Sequence, residues 1–170
     1  MIIEYNLREG AKAPNRANPS DAGLDVFFCP TDPSVAAARI KPGENRLLPT
    51  GLRFGIPHGY MLQACNRSSM GAKRSLVVGA HIIDSGYEGE VFIDLHNIGR
   101  EDQYVASGEK IAQLVLVPVV HFRARHVEES GELYQESITM SGRGDGALGS
   151  TNCPAKGVVE GMNEMPVGGW

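Results

Sequence analysis

Three segments of this chain carry residues whose types and spacing suit chemistry on a phosphorylated ligand. The first is Asn66-Arg67-Ser68-Ser69-Met70-Gly71-Ala72-Lys73. A strand pattern ends there, and Arg, two hydroxyls, Gly and Lys follow. Hydroxyls at a helix start can cap free N–H groups, and those groups together with the helix dipole favour an anion. Arg67 can fork onto phosphate oxygens. A plain Ser cap beside a solvated Lys73 fits the same residues equally well. A Walker loop does not fit, because the glycine spacing before the Lys is missing. The second segment is Arg143-Gly144-Asp145-Gly146-Ala147-Leu148-Gly149-Ser150-Thr151. Its glycines let backbone approach a ligand, and Arg143, Ser150 and Thr151 offer donors. A flexible linker has the same composition. Between them runs Gly79-Ala80-His81-Ile82-Ile83-Asp84-Ser85-Gly86-Tyr87-Glu88-Gly89-Glu90-Val91. Apolar strand, Asp-Ser-Gly turn and strand again predict a hairpin. Asp84 is either a turn-former bonded to its own backbone or a carboxylate able to deprotonate a water. Tyr87 is either an exposed strand residue or a platform for a flat ligand.

The elements that must position these groups are short strands. The 21 Gly and 10 Pro of the 170 residues punctuate the chain roughly every ten residues, a sandwich or barrel rhythm. Strands are expected at residues 24–28, 46–48, 52–56, 60–65 and 91–96. A long apolar run at 111–120 reads as a strand buried on both faces that bends or reaches an edge at Pro118. Helical signal is scarce: one or two turns at 69–74 and a short alanine-rich stretch at 34–39. From about Ser137 the chain turns rich in Gly, Ser, Pro and Asn. Such a stretch cannot bury enough surface to order itself alone. The division is therefore a β domain over residues 1–136 and a glycine-rich arm and tail over 137–170.

Bulk properties narrow the function. The formal net charge is −4, so no basic field exists to hold a nucleic-acid backbone. No apolar run approaches the length of a membrane helix. The start lacks the features of a signal peptide. Cys29, Cys65 and Cys153 are odd in number and widely spaced, which argues against a disulfide framework and for a reducing, cytoplasmic setting.

Read in order, the segments resemble the five motifs of the trimeric dUTPase family. Ala22-Gly23-Leu24-Asp25-Val26 is similar to its first motif and Arg67 through Lys73 to its second. Ile83-Asp84-Ser85-Gly86-Tyr87-Glu88-Gly89 is similar to the third, Gly108-Glu109-Lys110-Ile111-Ala112-Gln113-Leu114 to the fourth, and Arg143 through Thr151 to the fifth. The resemblance implies an all-β, jelly-roll-like β-barrel and a homotrimer with exchanged C-terminal arms and sites shared between subunits. It implies hydrolysis of dUTP to dUMP and pyrophosphate with Mg²⁺. Asp84 would activate the water and Tyr87 would pack on the deoxyribose. Asp25 would support Mg²⁺ through water. Arg67, Ser68 and Gln113 would hold phosphates, and Arg143, Ser150 and Thr151 would grip the γ-phosphate from the arm. Ser69, Lys73, Gly79, Ile83, Leu148 and Gly149 complete the expected substrate contacts. Gln113 also invites a role on its own account, because a Gln on an apolar strand must find partners.

The chain departs from the family in places. Ala147-Leu148 stands where Gly-Phe is usual, so Leu148 can cover a base but offers no π face. His81 replaces a frequent Gly, and Asn66 a common Pro. Residues 152–170 continue past the usual end. Some departures lean toward the related dCTP deaminases, whose catalytic Glu falls where this chain has Asp94. The bland reading of Asp94 is a solvent-facing strand residue. A weakened family member acting as a binding or regulatory protein is the remaining alternative. A zinc deaminase is excluded for want of a second Cys near Cys153.

Overall fold

The computed structural model describes residues 1–128. Arg143, Leu148, Gly149, Ser150 and Thr151, the departures at Ala147 and Leu148, and the boundary at residue 137 lie outside the described residues.

Eleven strands and one helix occur among the described residues. In chain order they are β1 (Tyr5–Leu7), β2 (Leu24–Phe27), β3 (Ala37–Ile40), β4 (Asn45–Pro49), β5 (Leu52–Phe54), β6 (Tyr60–Cys65), α1 (Ser68–Arg74), β7 (Leu76–Val78), β8 (Ile82–Ile83), β9 (Phe92–Asn97), β10 (Gln103–Ala106) and β11 (Lys110–Pro118). All pairings are antiparallel. They form a four-stranded sheet in the order β2-β11-β6-β8, a three-stranded sheet β4-β9-β7, and the pairs β3-β10 and β1-β5. The protein is therefore predominantly β. None of the four sheets closes on itself, so a hydrogen-bonded barrel is not seen within these residues.

One core joins the four sheets. Val26, Leu62, Ala64, Ile111 and Leu114 point inward from the four-stranded sheet, Leu48, Leu76, Ile93 and Leu95 from the three-stranded one, Ile40 and Val105 from β3 and β10, and Leu52 and Phe54 from β5. Each large side chain so buried contributes roughly 1.5–3 kcal/mol relative to exposure. The two buried polar residues among those described, Thr50 and Asn97, are satisfied. Thr50 donates to Val91 O at 2.6 Å, and the Asn97 amide donates to Ile40 O and Glu101 O at 2.9 and 2.8 Å.

Three expectations need correction. The alanine-rich stretch is no helix: Ala37–Ile40 pairs along its whole length with β10. A helix that short has too few bonds to offset its nucleation, whereas a partner strand supplies them at once. β11 is not buried on both faces: Ile111, Ala112 and Leu114 are covered, while Val115, Leu116 and Val117 are only half-buried. Nor is the Asp84 turn the tip of a paired hairpin. β8 pairs with β6, and β9 pairs with β4 and β7, so the turn carries the chain from one sheet to another. Ser85 Oγ anchors it by donating to Ile56 O at 2.9 Å.

Candidate active site

The Asp25 carboxylate organises the first group of predicted residues. Arg67 Nε donates to its Oδ1 at 2.9 Å and Lys110 Nζ to its Oδ2 at 2.7 Å, with only 14% of the Asp25 side chain exposed. Two cations against one carboxylate leave one net positive charge in the cluster. Arg67 also reaches Lys110 O at 3.4 Å. Gln113 is the Cα partner of both Asp25 on β2 and Cys65 on β6, and its Nε2 donates to Asn66 O at 3.0 Å. Gly23 packs closely beside it: a Cβ there would stand 3.1 Å from Gln113 Oε1 and 3.0 Å from Leu114 O.

A bulge explains how Lys110 and Gln113 face the same way. Residues three apart on a regular strand point to opposite faces. The register against β2 slips between Lys110 and Ala112, so Ile111 and Ala112 both turn inward while Lys110 and Gln113 both flank them on the outer side. Lys110 is a site candidate that the sequence reading did not single out. Its charge at the start of a strand was visible; the bulge that aims it at Asp25 was not.

Helix α1 places Ser68 and Ser69 beside this cluster, but neither caps it. The N-cap is Arg67, in extended conformation, with no side-chain cap bond. The guanidinium that occupies this position is committed to Asp25. Ser68 is exposed and Ser69 half-buried. Lys73 is exposed on the last turn, and among the described residues it makes no hydrogen bond to the cluster. Asn66 does more than fill the place of a Pro: its Oδ1 accepts the Val78 N–H at 2.6 Å and ties the end of β6 to the end of β7.

The second group lies apart from the first. Ile83 is the Cα partner of Leu62, so Asp84 begins its turn beyond that point, while Arg67 follows the other end of the strand. Counting strand rise and strand spacing puts Asp84 on the order of 15–20 Å from Asp25 in the same chain. Asp84 and Tyr87 are exposed and, with Ile82, Ile83, Val91 and Phe92, line a mostly apolar cavity of about 300 Å³. The turn closes through Tyr87 N–H to Asp84 O at 3.2 Å, with Gly86 at φ +86°. Tyr87 is pinned by its hydroxyl, which donates to Glu90 O at 2.9 Å. The ring crosses Gly89 so closely that a Cβ there would stand 2.4 Å from the hydroxyl.

Gly79, preceding this turn, packs against a polar trio. A Cβ on it would lie 2.3 Å from His96 Nε2 and 2.5 Å from Asp94 Oδ2. Asp94 is not the solvent-facing residue expected, since only 16% of its side chain is exposed. Asn45 Nδ2 donates to Asp94 Oδ1 at 2.7 Å, and His96 Nε2 lies 2.8 Å from its Oδ2. Burial alone would raise this carboxyl, but the hydrogen bonds from Asn45, His96 and the Ala80 N–H, with the His96 charge, hold it below the ordinary carboxylate value. A carboxylate held ionised in this way is committed to its partners and poorly suited to donate a proton. His81 is exposed, its Nδ1 3.2 Å from Gly79 O.

Cys29 and Cys65 carry free thiols. Among the described residues no helix is long and apolar enough to cross a membrane.

Comparison with known proteins follows the same outline. The family model described as dUTPase matches residues 9–151. The chain is 38% identical over 153 residues to the deoxyuridine 5'-triphosphate nucleotidohydrolase of Laribacter hongkongensis, covering 88% of this chain and 93% of that protein. It is 38% identical over 147 residues to the enzyme of the same name from Clostridium acetobutylicum, covering 85% and 92%. Among solved structures, a mutant dUTPase of Staphylococcus bacteriophage 80alpha with dUpNHpp superimposes with a TM-score of 0.73 at 25% identity, over 88% of this chain and 98% of that one. A mutant dUTPase from phage phi11 of S. aureus, whose structure concerns the coordination of a structural Mg(II) ion, gives 0.67 at 26% identity, over 76% and 98%.

Proposed function

The chain belongs to the dUTPase family, and from that premise we propose how its residues divide the family's reaction between them. The protein is an enzyme that hydrolyses dUTP to dUMP and pyrophosphate. The cavity of about 300 Å³ beside Asp84 takes the deoxyuridine, with Tyr87 packed on the sugar and the backbone around Gly79 and Ile83 reading the base. The net-positive cluster of Arg67, Lys110 and Asp25, with Gln113, Ser68, Ser69 and Lys73, takes the triphosphate. Arg143, Gly149, Ser150 and Thr151 close on the γ-phosphate from the arm, and Leu148 covers the base. Asp84 removes a proton from a water as its oxygen bonds to the α-phosphorus. The bond from that phosphorus to the bridging oxygen breaks, and pyrophosphate leaves. The arrangement works by positioning and charge.

Mg²⁺ fits these residues as an ion that arrives with the substrate. Both oxygens of Asp25 are engaged by cations, and Asp25 would support such an ion through water, as the family resemblance implies. Among the described residues no group of three or more His, Cys, Asp or Glu could cage a metal. When bound, Mg²⁺ offsets charge on the phosphate oxygens and keeps most of its own waters.

The observation that carries this reading is the separation of Asp84 from the Asp25 cluster within one chain. This separation favours a site whose two halves come from different copies of the chain. Membership of the family supports the rest of the reading: a homotrimer with shared sites, each subunit a jelly-roll-like β unit with an exchanged arm, acting in the cytoplasm. The test of the base is Asp84→Asn, assayed with dUTP and Mg²⁺. A loss in kcat of roughly a hundred- to ten-thousandfold with KM held within a few fold is expected. Near-normal turnover would remove Asp84 from the chemistry.

A further inference from the structure

Both ends of α1 are fastened to the start of β11, and the second fastening joins Arg74, which lies outside the motifs described above, to Glu109 within the fourth. At the N-terminal end, Arg67 meets Asp25 and Lys110 O. At the C-terminal end, Arg74 spreads its guanidinium over the β10–β11 connection. Its Nε donates to Gln103 Oε1 at 2.9 Å, one terminal nitrogen donates to Tyr104 O at 2.7 Å, and the other donates to the Glu109 carboxylate. Glu109 is itself fixed in the turn, accepting the Ala106 N–H on its other oxygen at 2.9 Å. Its own carbonyl accepts the Phe28 N–H at 2.9 Å, at the end of β2. The next residue is Lys110, which closes the circuit to Asp25. Arg67, α1, Arg74, Glu109, Lys110 and Asp25 thus form a closed loop of covalent and charge-assisted links.

We propose that Arg74 is a positioning residue for the triphosphate. By clamping the helix end to Glu109, it sets the distance between Arg67 and the hydroxyls on one side and Lys110 and Gln113 on the other. A planar fork with several fixed donors suits this task, because it binds three acceptors in set directions where an ammonium would act as a single point charge. Arg74 lies at the far end of the helix from Arg67 and touches no substrate in this account. Its loss leaves each phosphate-binding side chain present but looser in relation to the others. Cradles of this kind lose activity when their supports allow shifts of about an ångström.

The proposal rests on the assignment of Arg67 and Lys110 to the triphosphate. Its test compares Arg74→Ala, Arg74→Lys and Glu109→Gln with Arg67→Ala, using three readouts: KM for dUTP, inhibition by pyrophosphate and inhibition by deoxyuridine. Arg74→Ala is expected to raise KM and to weaken pyrophosphate inhibition by about tenfold, with deoxyuridine inhibition and kcat within two- to threefold of the parent. Arg74→Lys restores part of the loss. Glu109→Gln moves the same readouts in the same direction, and combining it with Arg74→Ala adds little, as expected for two members of one contact. If Arg74→Ala does not fold, Glu109→Gln decides alone. Unchanged pyrophosphate inhibition in Glu109→Gln, or equal weakening of pyrophosphate and deoxyuridine in Arg74→Ala, overturns the proposal. Arg67→Ala separates the two levels. If it too leaves KM unchanged, the triphosphate assignment has failed; if it raises KM while Arg74→Ala does not, only the clamp has failed.

Discussion

Asp84 and Arg67 stand at opposite ends of β6. The residue before Asp84 is paired with Leu62 near the start of the strand, and Arg67 lies two residues past its last one, Cys65. Their chemistry is complementary and their placement in one chain is not. One end offers an exposed carboxylate and a tyrosine beside an apolar cavity, which suits a nucleoside. The other offers cations and amides around Asp25, which suits a polyphosphate.

Tyr87 is held flat across Gly89 by its bond to Glu90 O. If the ring gates the sugar, Tyr87→Ala lowers the preference for dUTP over UTP by about tenfold or more in kcat/KM. Gly89→Ala, whose Cβ would displace the same hydroxyl, shifts the preference in the same direction with the ring still present. Parallel kinetics on dUTP and UTP measure both, and an unchanged ratio in Tyr87→Ala contradicts the gate.

Gly79→Ala places a methyl group where His96 and Asp94 now meet. The pair must part or the turn must shift, a change that costs roughly 1–3 kcal/mol. Calorimetry should record a fall in Tm of about 2–4 °C for each kcal/mol lost. Removing the obstructing ring with His96→Ala should recover much of the Gly79→Ala loss. A Tm for Gly79→Ala within a degree of the parent contradicts the packing described here.

The Asp94 carboxyl gives a pH signature. Its folded value lies below the ordinary 3.8, so near that pH the folded state binds fewer protons than the unfolded chain. Its contribution to stability is complete above 3.8 and is lost as the pH falls through the lower, folded value. Asp94→Asn should therefore flatten the decline in stability below about pH 4. Denaturant titrations at pH 3 and pH 6 test this. Equal slopes for parent and variant contradict it.

Much of the fold was legible because period-two patterns and Gly or Pro boundaries act locally. The stretches read as strands at 24–28, 46–48, 52–56, 60–65 and 91–96 all correspond to observed strands. Strands β1, β3, β7 and β10 were not, since three- and four-residue segments such as Ala37–Ile40 take their conformation from a distant partner. That Asp25, Arg67, Asp84 and Gln113 are candidates was legible, for Arg67, Asp84 and Gln113 from residue type and for Asp25 from the resemblance of its segment. Their spatial grouping was not, because it depends on which strand β8 chooses and on a bulge at Ile111 that no local pattern encodes. The same bulge concealed Lys110, and the Arg74–Glu109 contact bridges 35 residues.

Subunit complementation tests the central claim most directly. Asp84→Asn lacks one half of the site and Arg67→Ala the other, so each alone is expected to be nearly inactive. Dissociated together and reassembled at equal ratio, they should form mixed trimers in which about a quarter of the sites pair an intact Asp84 with an intact Arg67 from another copy. Recovery of roughly that fraction of parental dUTP hydrolysis is the predicted result. Mixed trimers with no more activity than the separate variants would contradict a site shared between subunits.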